Sequence, residues 1–155
     1  MKAKIFFILM LWVASLTSCD KNDIKNGDSL VFSIHRWGGW TGLEENMTIN
    51  AESTSYSISY LTNPKSGYQT NIKTKEQQWD SLKKIFDLET FTKIQDGGCA
   101  SCLDGIDETF SVTKNGKTYS IYNGAGDENY KKMQAFFDII NEQLTVFESI
   151  DVGEW

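Results

Sequence analysis

Histidine, cysteine and proline are scarce in this sequence of 155 residues, which contains one histidine, three cysteines and one proline. A Ser-His-Asp or Cys-His catalytic site needs its histidine held beside a nucleophile and oriented by a third group. The single histidine, His35, falls on the polar side of an alternating strand pattern, where an exposed side chain is the simpler interpretation. We therefore expect no catalytic residue and no enzymatic activity.

Basic residues are also few, since 15 Lys and Arg stand against 21 Asp and Glu and give a net charge of −6. A nucleic-acid partner requires a basic stripe that neutralises phosphates, and this composition offers none. The same acidic balance argues against electrostatic adhesion to anionic lipid. We expect no nucleic-acid partner, and contact with a membrane only through a lipid anchor.

The N-terminal apolar run, residues 5–14, is too short to cross a bilayer as a helix, which needs about 20 residues. It follows two lysines and precedes Leu16-Thr17-Ser18-Cys19, the layout of a secretory signal that ends in a bacterial lipobox. Residues 1–18 are thus predicted to be a lipoprotein signal peptide. Cys19 is predicted to be the acylated first residue of the mature chain; the alternative is an ordinary signal peptide that leaves it a free thiol.

Residues 19–29 are polar, charged and without periodicity, which is typical of a tether. Asp20 and Asp23 resemble the acidic signals after the lipidated cysteine that send some Gram-negative lipoproteins to the cell surface. The expected location is the cell envelope of a Gram-negative bacterium, lipid-anchored at the outer membrane or the cell surface.

Four strands are predicted between residues 30 and 73, where apolar and polar residues alternate with the period of a half-buried sheet. The period then becomes helical, and a helix is predicted over residues 75–87 with Thr74 as its N-cap. Later, Asn115 and Gly116 give a strong hairpin signal, because both residues tolerate the positive φ of a type I′ turn.

A closing amphipathic helix is predicted after Asp127, a favourable N-cap residue. The order is β-β-β-β-α-β-β-α, an α+β fold in which two helices pack on one face of an antiparallel β-sheet. The sequence shows no repeat and no second domain. We predict one α+β domain over residues 30–145 and a C-terminal tail over residues 146–155.

The stretch HRWGGWTG, residues 35–42, concentrates aromatic and glycine residues. Gly38 and Gly39 can form a two-residue hairpin turn, which would place Trp37 opposite Trp40 as a stabilising cross-strand pair. A rigid tip with exposed aromatics can also enter a protein cleft without losing much entropy. Both roles stay open, and stacking of a glycan or small ligand on either tryptophan is a further alternative.

Cys99 and Cys102 form a CxxC motif, which is compatible with half of a zinc site, a redox pair or a local disulfide. A structural zinc site needs four ligands, more than this chain supplies once Cys19 is acylated. No predicted helix follows the motif to stabilise a thiolate. In an oxidising compartment a loop disulfide is therefore favoured.

The acidic residues that follow this motif, Asp104, Asp107 and Glu108, have the oxygen ligands that calcium prefers but not the spacing of an EF-hand. Solvated loop acids are the more common arrangement. We expect these three side chains to be exposed, and we expect neither a metal site nor a cofactor.

The run formed by Arg36, Gly38, Gly39, Trp40 and Gly42 resembles the opening of emfourin-type proteins, small bacterial inhibitors of thermolysin-like metalloproteases. The resemblance extends over residues 30–145 through the central helix, the acidic glycine-rich loop, the hairpin and the closing helix. It implies an α+β fold and a metalloprotease partner. The implied partner-binding residues are Arg36, Trp37, Gly38, Gly39, Trp40 and Gly42.

Together these features predict a non-enzymatic, lipid-anchored protein-binding domain of the cell envelope, with inhibition of a thermolysin-like metalloprotease as its expected activity. A surface module for a glycan or small ligand is the first alternative. A structural envelope lipoprotein is the second.

Overall fold

A single antiparallel sheet organises residues 29–151, the part of the chain that the computed structural model describes. The signal peptide, Cys19, most of the tether and residues 152–155 of the tail lie outside these residues. The sheet has the strand order β4-β3-β2-β1-β5-β6. Its strands are β1 (Leu30–Gly38), β2 (Leu43–Ile49), β3 (Ser53–Tyr60), β4 (Tyr68–Lys73), β5 (Ile106–Lys114) and β6 (Lys117–Tyr122).

The alternation that predicted the strands also decides which sheet face is buried. In β1, Phe32 and Ile34 are 1% and 2% exposed and lie under the helices. On the opposite face the strands carry small hydroxyl side chains that pair across strands, such as Ser111 with Ser120 at 2.8 Å. One face is therefore apolar and covered, and the other is polar.

The helix predicted over residues 75–87 is α1 (Glu76–Ile85), and a separate short helix, α2 (Leu88–Phe91), follows it. The predicted closing helix is divided into α3 (Glu128–Lys132) and α4 (Gln134–Asp151). Asp87 starts α2 because its carboxylate accepts the backbone N–H of Glu89 at 3.0 Å. The predicted α+β class is confirmed, with four helices in place of two.

The predicted caps had different outcomes. Asp127 is the N-cap of α3 and accepts the backbone N–H groups of Asn129 and Tyr130. Thr74 does not cap α1, because its hydroxyl bonds Thr54 at 2.9 Å inside the protein. Asn115 and Gly116 form the predicted hairpin turn, with φ of 52° and 78°.

The core lies between the sheet and the helices, and α4 closes it. This helix continues to Asp151, so residues 146–151, assigned above to the tail, continue the helix that begins at Gln134. Buried aliphatic and aromatic side chains each contribute about 1.5–3 kcal/mol to folding. The helical side of the core contains Trp79, Leu82, Phe91, Ile94, Tyr130, Met133, Phe136, Phe137, Ile140, Leu144 and Phe147.

Of the helices within residues 29–151, none combines the length and the apolar character that a bilayer span would require.

Candidate functional site

Three loops meet at one end of the sheet, where β1, β3 and β5 each begin or end. They are residues 39–42 between β1 and β2, residues 61–67 between β3 and β4, and residues 99–105 before β5. We call this region the three-loop end.

Backbone hydrogen bonds hold the three loops together. The N–H of Gly39 donates to the carbonyl oxygen of Gly105 at 2.9 Å, and the N–H of Leu61 donates to the carbonyl oxygen of Gly42 at 3.0 Å. Thr62 adds a second backbone bond, from its N–H to the carbonyl oxygen of Thr41 at 3.2 Å. The loop over residues 39–42 is thus fixed on both sides, so the three-loop end is preorganised.

Large apolar side chains project from the three-loop end into solvent. Trp40, Leu61 and Leu103 are 84%, 82% and 87% exposed, the highest values among the large hydrophobic residues that the structure describes. Ile106, 41% exposed, lies beside Gly39 at the first position of β5. Each of the three loops contributes one of the three most exposed side chains, which sets this end apart from the rest of the surface.

The predicted pair of Trp37 and Trp40 does not form. The β1 to β2 turn spans four residues rather than two, so Trp37 lies opposite Glu44 in the register and Trp40 lies in the loop. The turn is longer because Gly39 and Gly42 both adopt positive φ, at 68° and 61°, and the N–H of Gly42 closes it on the carbonyl oxygen of Gly39.

Trp37 lies instead in an aromatic row on the polar face of the sheet. Its ring stacks on His35 with a centroid distance of 4.6 Å and lies 5.8 Å from the ring of Tyr122. The Nε2 of His35 lies 2.7 Å from Glu44 Oε1, so the imidazole faces a carboxylate. His35 is on the predicted outward face, with 40% of its side chain exposed.

Arg36 points to the helical side of the sheet, away from Trp37. Its guanidinium lies 2.9 Å from Glu45, 3.0 Å from Glu148 and 3.7 Å from Glu108. Glu45 is 1% exposed and also accepts the hydroxyl of Tyr56 at 2.7 Å. Arg36 therefore ties the sheet to α4 through a cluster of carboxylates.

The carboxyls around Arg36 have displaced pKa values. Burial is the largest cause and raises the pKa of Glu45, while the hydroxyl of Tyr56 and the charge of Arg36 oppose it. Burial also raises the pKa of Glu108, again opposed by Arg36. One guanidinium thus compensates for several carboxylates that burial would otherwise favour in the protonated form.

A disulfide joins Cys99 and Cys102, as predicted, with their Cα atoms 5.5 Å apart. It closes the start of the loop that carries Leu103, and the 3₁₀ turn Ser101–Leu103 includes one of its cysteines. The bridge therefore constrains the backbone next to the exposed Leu103.

Asp107 lies beneath the same loop and accepts hydrogen bonds from it. The prediction that its side chain would be exposed is wrong, because the residue is 1% exposed. Its carboxylate accepts the N–H of Ala100 at 2.6 Å, the side-chain amide of Asn123 at 2.6 Å and the hydroxyl of Ser101. Burial acts to raise the pKa of Asp107, but these bonds together with the hydroxyl of Tyr122 bring it well below the ordinary value.

The structure thus divides the predicted site residues among three places. Gly39, Trp40 and Gly42 lie at the three-loop end, next to Gly38 at the end of β1. Trp37 lies in the aromatic row on the polar face, and Arg36 belongs to the carboxylate cluster. Leu61 and Leu103 were missed, because an isolated leucine in a polar loop gives no periodic signal before the loops are brought together. Within residues 29–151 no group of three or more His, Cys, Asp or Glu side chains is arranged to hold a metal ion.

Comparison of the chain with models of known protein families gave no match, and comparison with curated proteins gave none either.

Proposed function

We propose that this protein is a non-enzymatic binding module of the bacterial cell envelope that contacts a protein partner with its three-loop end. The observation that carries the proposal is the exposure of Trp40, Leu61 and Leu103, each above 80%, on three loops that hydrogen bonds hold together. Exposed apolar clusters of this kind are typical of protein-binding surfaces.

Preorganisation gives this surface its physical advantage. Binding by a mobile loop loses conformational entropy, whereas the backbone bonds at Gly39, Gly42 and Leu61 fix the loops before the partner arrives. Tryptophan is among the residues that contribute most to protein interfaces. Three hydrogen-bonded loops that each present one large apolar side chain, Trp40, Leu61 or Leu103, can place these side chains in an apolar cleft of a partner.

A thermolysin-like metalloprotease is the partner suggested by the resemblance to emfourin-type inhibitors. Trp40, Gly39 and Gly42 lie in the loop that would contact it. Arg36 is not proposed as a contact, since its guanidinium lies on the core side of β1 and is held by Glu45 and Glu148.

Titration of a thermolysin-like protease with the purified protein tests this partner. We expect inhibition at micromolar concentration, weakened about thirtyfold by Trp40→Ala and at least about fivefold by Leu103→Ala, the range of interface hot spots. Val146→Ala, at a position 50% exposed on α4, is the matched control and should leave inhibition unchanged. Absence of inhibition removes the protease as partner.

Site-specific photocrosslinking separates the wider proposal from the protease. A photoreactive amino acid placed at residue 40 or residue 103 should give the same crosslinked protein in the source bacterium, and the same group at residue 146 should not. The three-loop end does not bind a protein if residues 40 and 103 give no crosslink, or if they crosslink only proteins that residue 146 also crosslinks.

We also propose that the mature chain is held in the envelope by lipid on Cys19. The mass of the intact mature protein should correspond to a chain beginning at Cys19 with diacylglycerol attached. Cys19→Ala should release the protein from the membrane fraction. A mature chain without lipid would exclude the anchor and leave the binding proposal standing.

The alternative of a stacked glycan or small ligand now rests on Trp40, whose side chain is 84% exposed. The ring of Trp37 is stacked on His35 and lies against Tyr122, so its contacts are made within the protein.

A further inference from the structure

A cleft of about 450 Å³ opens beside the three-loop end, on the polar side of the sheet. Trp37 and Glu44 line it from β1 and β2, and Ser59 lines it from the end of β3. Leu61 and Pro64, in the loop over residues 61–67, form its outer wall. Because Leu61 belongs to both regions, the cleft and the apolar surface of the three-loop end are continuous.

The lining of this cleft combines apolar walls with one charge. Of the nine residues that line it, Glu44 is the only charged one, and 53% of its side chain is exposed. One carboxylate oxygen of Glu44, Oε1, lies 2.7 Å from His35. A carboxylate can accept about four hydrogen bonds, so Glu44 keeps capacity for a donor that enters the cleft.

We infer that this cleft accepts a lysine or arginine side chain of the protein partner, an inference that rests on the proposed function. Such a side chain has an apolar stem and a cationic head. The stem would pack on Leu61 and Pro64, and the head would donate to Glu44 beside the indole of Trp37. The net charge of −6 favours approach of a cation over an anion.

The same geometry distinguishes a cation from a sugar. A sugar uses an aromatic face as a platform, whereas Trp37 already stacks on His35. A cationic head needs a carboxylate with remaining acceptor capacity, which Glu44 supplies, and does not need a free aromatic face. The occupant with matching chemistry is therefore a basic side chain presented next to the apolar residues that contact Trp40 and Leu61.

The test uses the purified protein and two blocked tripeptides, Ala-Arg-Ala and Ala-citrulline-Ala, which match in shape and differ in charge. The indole N–H signals of tryptophan are followed by NMR at low ionic strength. We expect the arginine peptide to shift the signal of Trp37 saturably and to leave that of the core residue Trp79 in place. The citrulline peptide should bind up to about fivefold more weakly, as expected for loss of an exposed ion pair.

Two variants that lose the same charge serve as test and control. Glu44→Gln should weaken the arginine peptide about fivefold, and Glu52→Gln, an exposed position in the β2 to β3 turn, should leave it unchanged. Equal binding of both peptides, or equal effects of both variants, overturns the inference. A shift of Trp37 that depends on protein concentration without peptide also overturns it, since a second copy would then fill the cleft.

This assay is independent of the protein partner. Because Trp40 and Leu103 do not line the cleft, Trp40→Ala and Leu103→Ala report on the three-loop end and Glu44→Gln reports on the cleft. Peptide binding without any partner contact would contradict the proposed function alone. Partner contact without peptide binding would contradict the inference alone.

Discussion

Arg36 in β1 and Glu148 in α4 lie 112 positions apart in the sequence, and the guanidinium donates to the carboxylate at 3.0 Å. The same Nη1 donates to Glu45 at 2.9 Å. This contact joins the strand that leads to the three-loop end with the helix that closes the core. Arg36 therefore links that strand to α4 by an ion pair, in addition to the apolar packing between them.

Arg36→Met should lower the free energy of unfolding by about 3 kcal/mol near pH 8, as for other partly buried ion pairs that lose one member. Burial raises the pKa values of Glu45 and Glu108, and Arg36 keeps both below the values that burial alone would give. A carboxyl whose folded pKa is raised loses stability as pH rises above its ordinary value of 4.5 through the folded value. The deficit of the variant should therefore shrink as pH falls toward 4.5.

Urea unfolding of both proteins at pH 5 and pH 8 measures this difference. Lys93→Met, which removes an exposed pair with Glu89, is the control and should leave the midpoint unchanged at both values. An Arg36→Met deficit of the same size at both pH values would contradict the assignment of Arg36 to the carboxylate cluster.

Asp107→Asn should destabilise the protein, because the carboxylate accepts the N–H of Ala100 and the amide of Asn123 while buried. Its folded pKa lies below the ordinary 3.8, so its stabilisation is present above pH 3.8 and is lost as pH falls through the lowered value. Thermal unfolding should show a lower Tm for the variant at pH 7, with the two curves converging in acid. Asp104→Asn, in the exposed part of the loop, should keep the Tm of the parent protein.

Gly42→Ala should disturb the three-loop end more than its backbone strain alone explains. The added Cβ would lie 2.5 Å from the Cβ of Leu61, and φ is +61°. Gly116→Ala is the matched variant, because its φ is +78° and no atom lies within 4 Å of the new Cβ. Gly116→Ala should cost about 1 kcal/mol.

The excess destabilisation of Gly42→Ala over Gly116→Ala measures the close approach of the two loops. If the two variants unfold at the same denaturant concentration, the contact between Gly42 and Leu61 is not maintained in solution.

The disulfide should contribute modest stability with a local effect. Closing so short a loop stabilises by about 2 kcal/mol in the chain-entropy account. The Cys99→Ser and Cys102→Ser double variant should lose about that amount and exchange the amide hydrogens of Leu103 and Gly39 faster than the parent protein does. The amide hydrogen of Val112, in the middle of β5, should exchange faster only by the factor that the loss of global stability explains.

In the parent protein, Cys99 and Cys102 should resist alkylation unless a reductant first opens the disulfide. Two alkylated residues in the oxidised, unfolded chain would contradict the bridge.

The strands and their buried faces could be predicted from local signals. The alternation through Phe32 and Ile34 predicts a strand and its buried face, and Asn115 with Gly116 predicts a hairpin from local backbone preference. Such signals are local, because they depend on residues close together in the chain. The break within the closing helical segment escaped prediction, since its apolar stripe continues across the break.

The candidate site depended on contacts that are distant in sequence. The turn after β1 includes Gly42, which packs against Leu61 in another loop. The pairing of Trp37 with Trp40 could therefore not be judged from the turn residues alone. Asp107 looked like a solvated acid because its partners, Ala100 and Asn123, surround it only after the chain folds. The same argument applies to Leu103, whose companions come from two other loops.

Strand β1 runs from Leu30, where residues 19–29 join the domain, to Gly38, the first neighbour of the loop that carries Trp40. Nine residues in extended conformation separate its two ends by about 26 Å. In a chain anchored by lipid at Cys19, the point where the tether enters the domain and the loop that carries Trp40 would lie at opposite ends of this strand. A partner bound at Trp40 would then contact the domain one strand length away from the attachment of the tether.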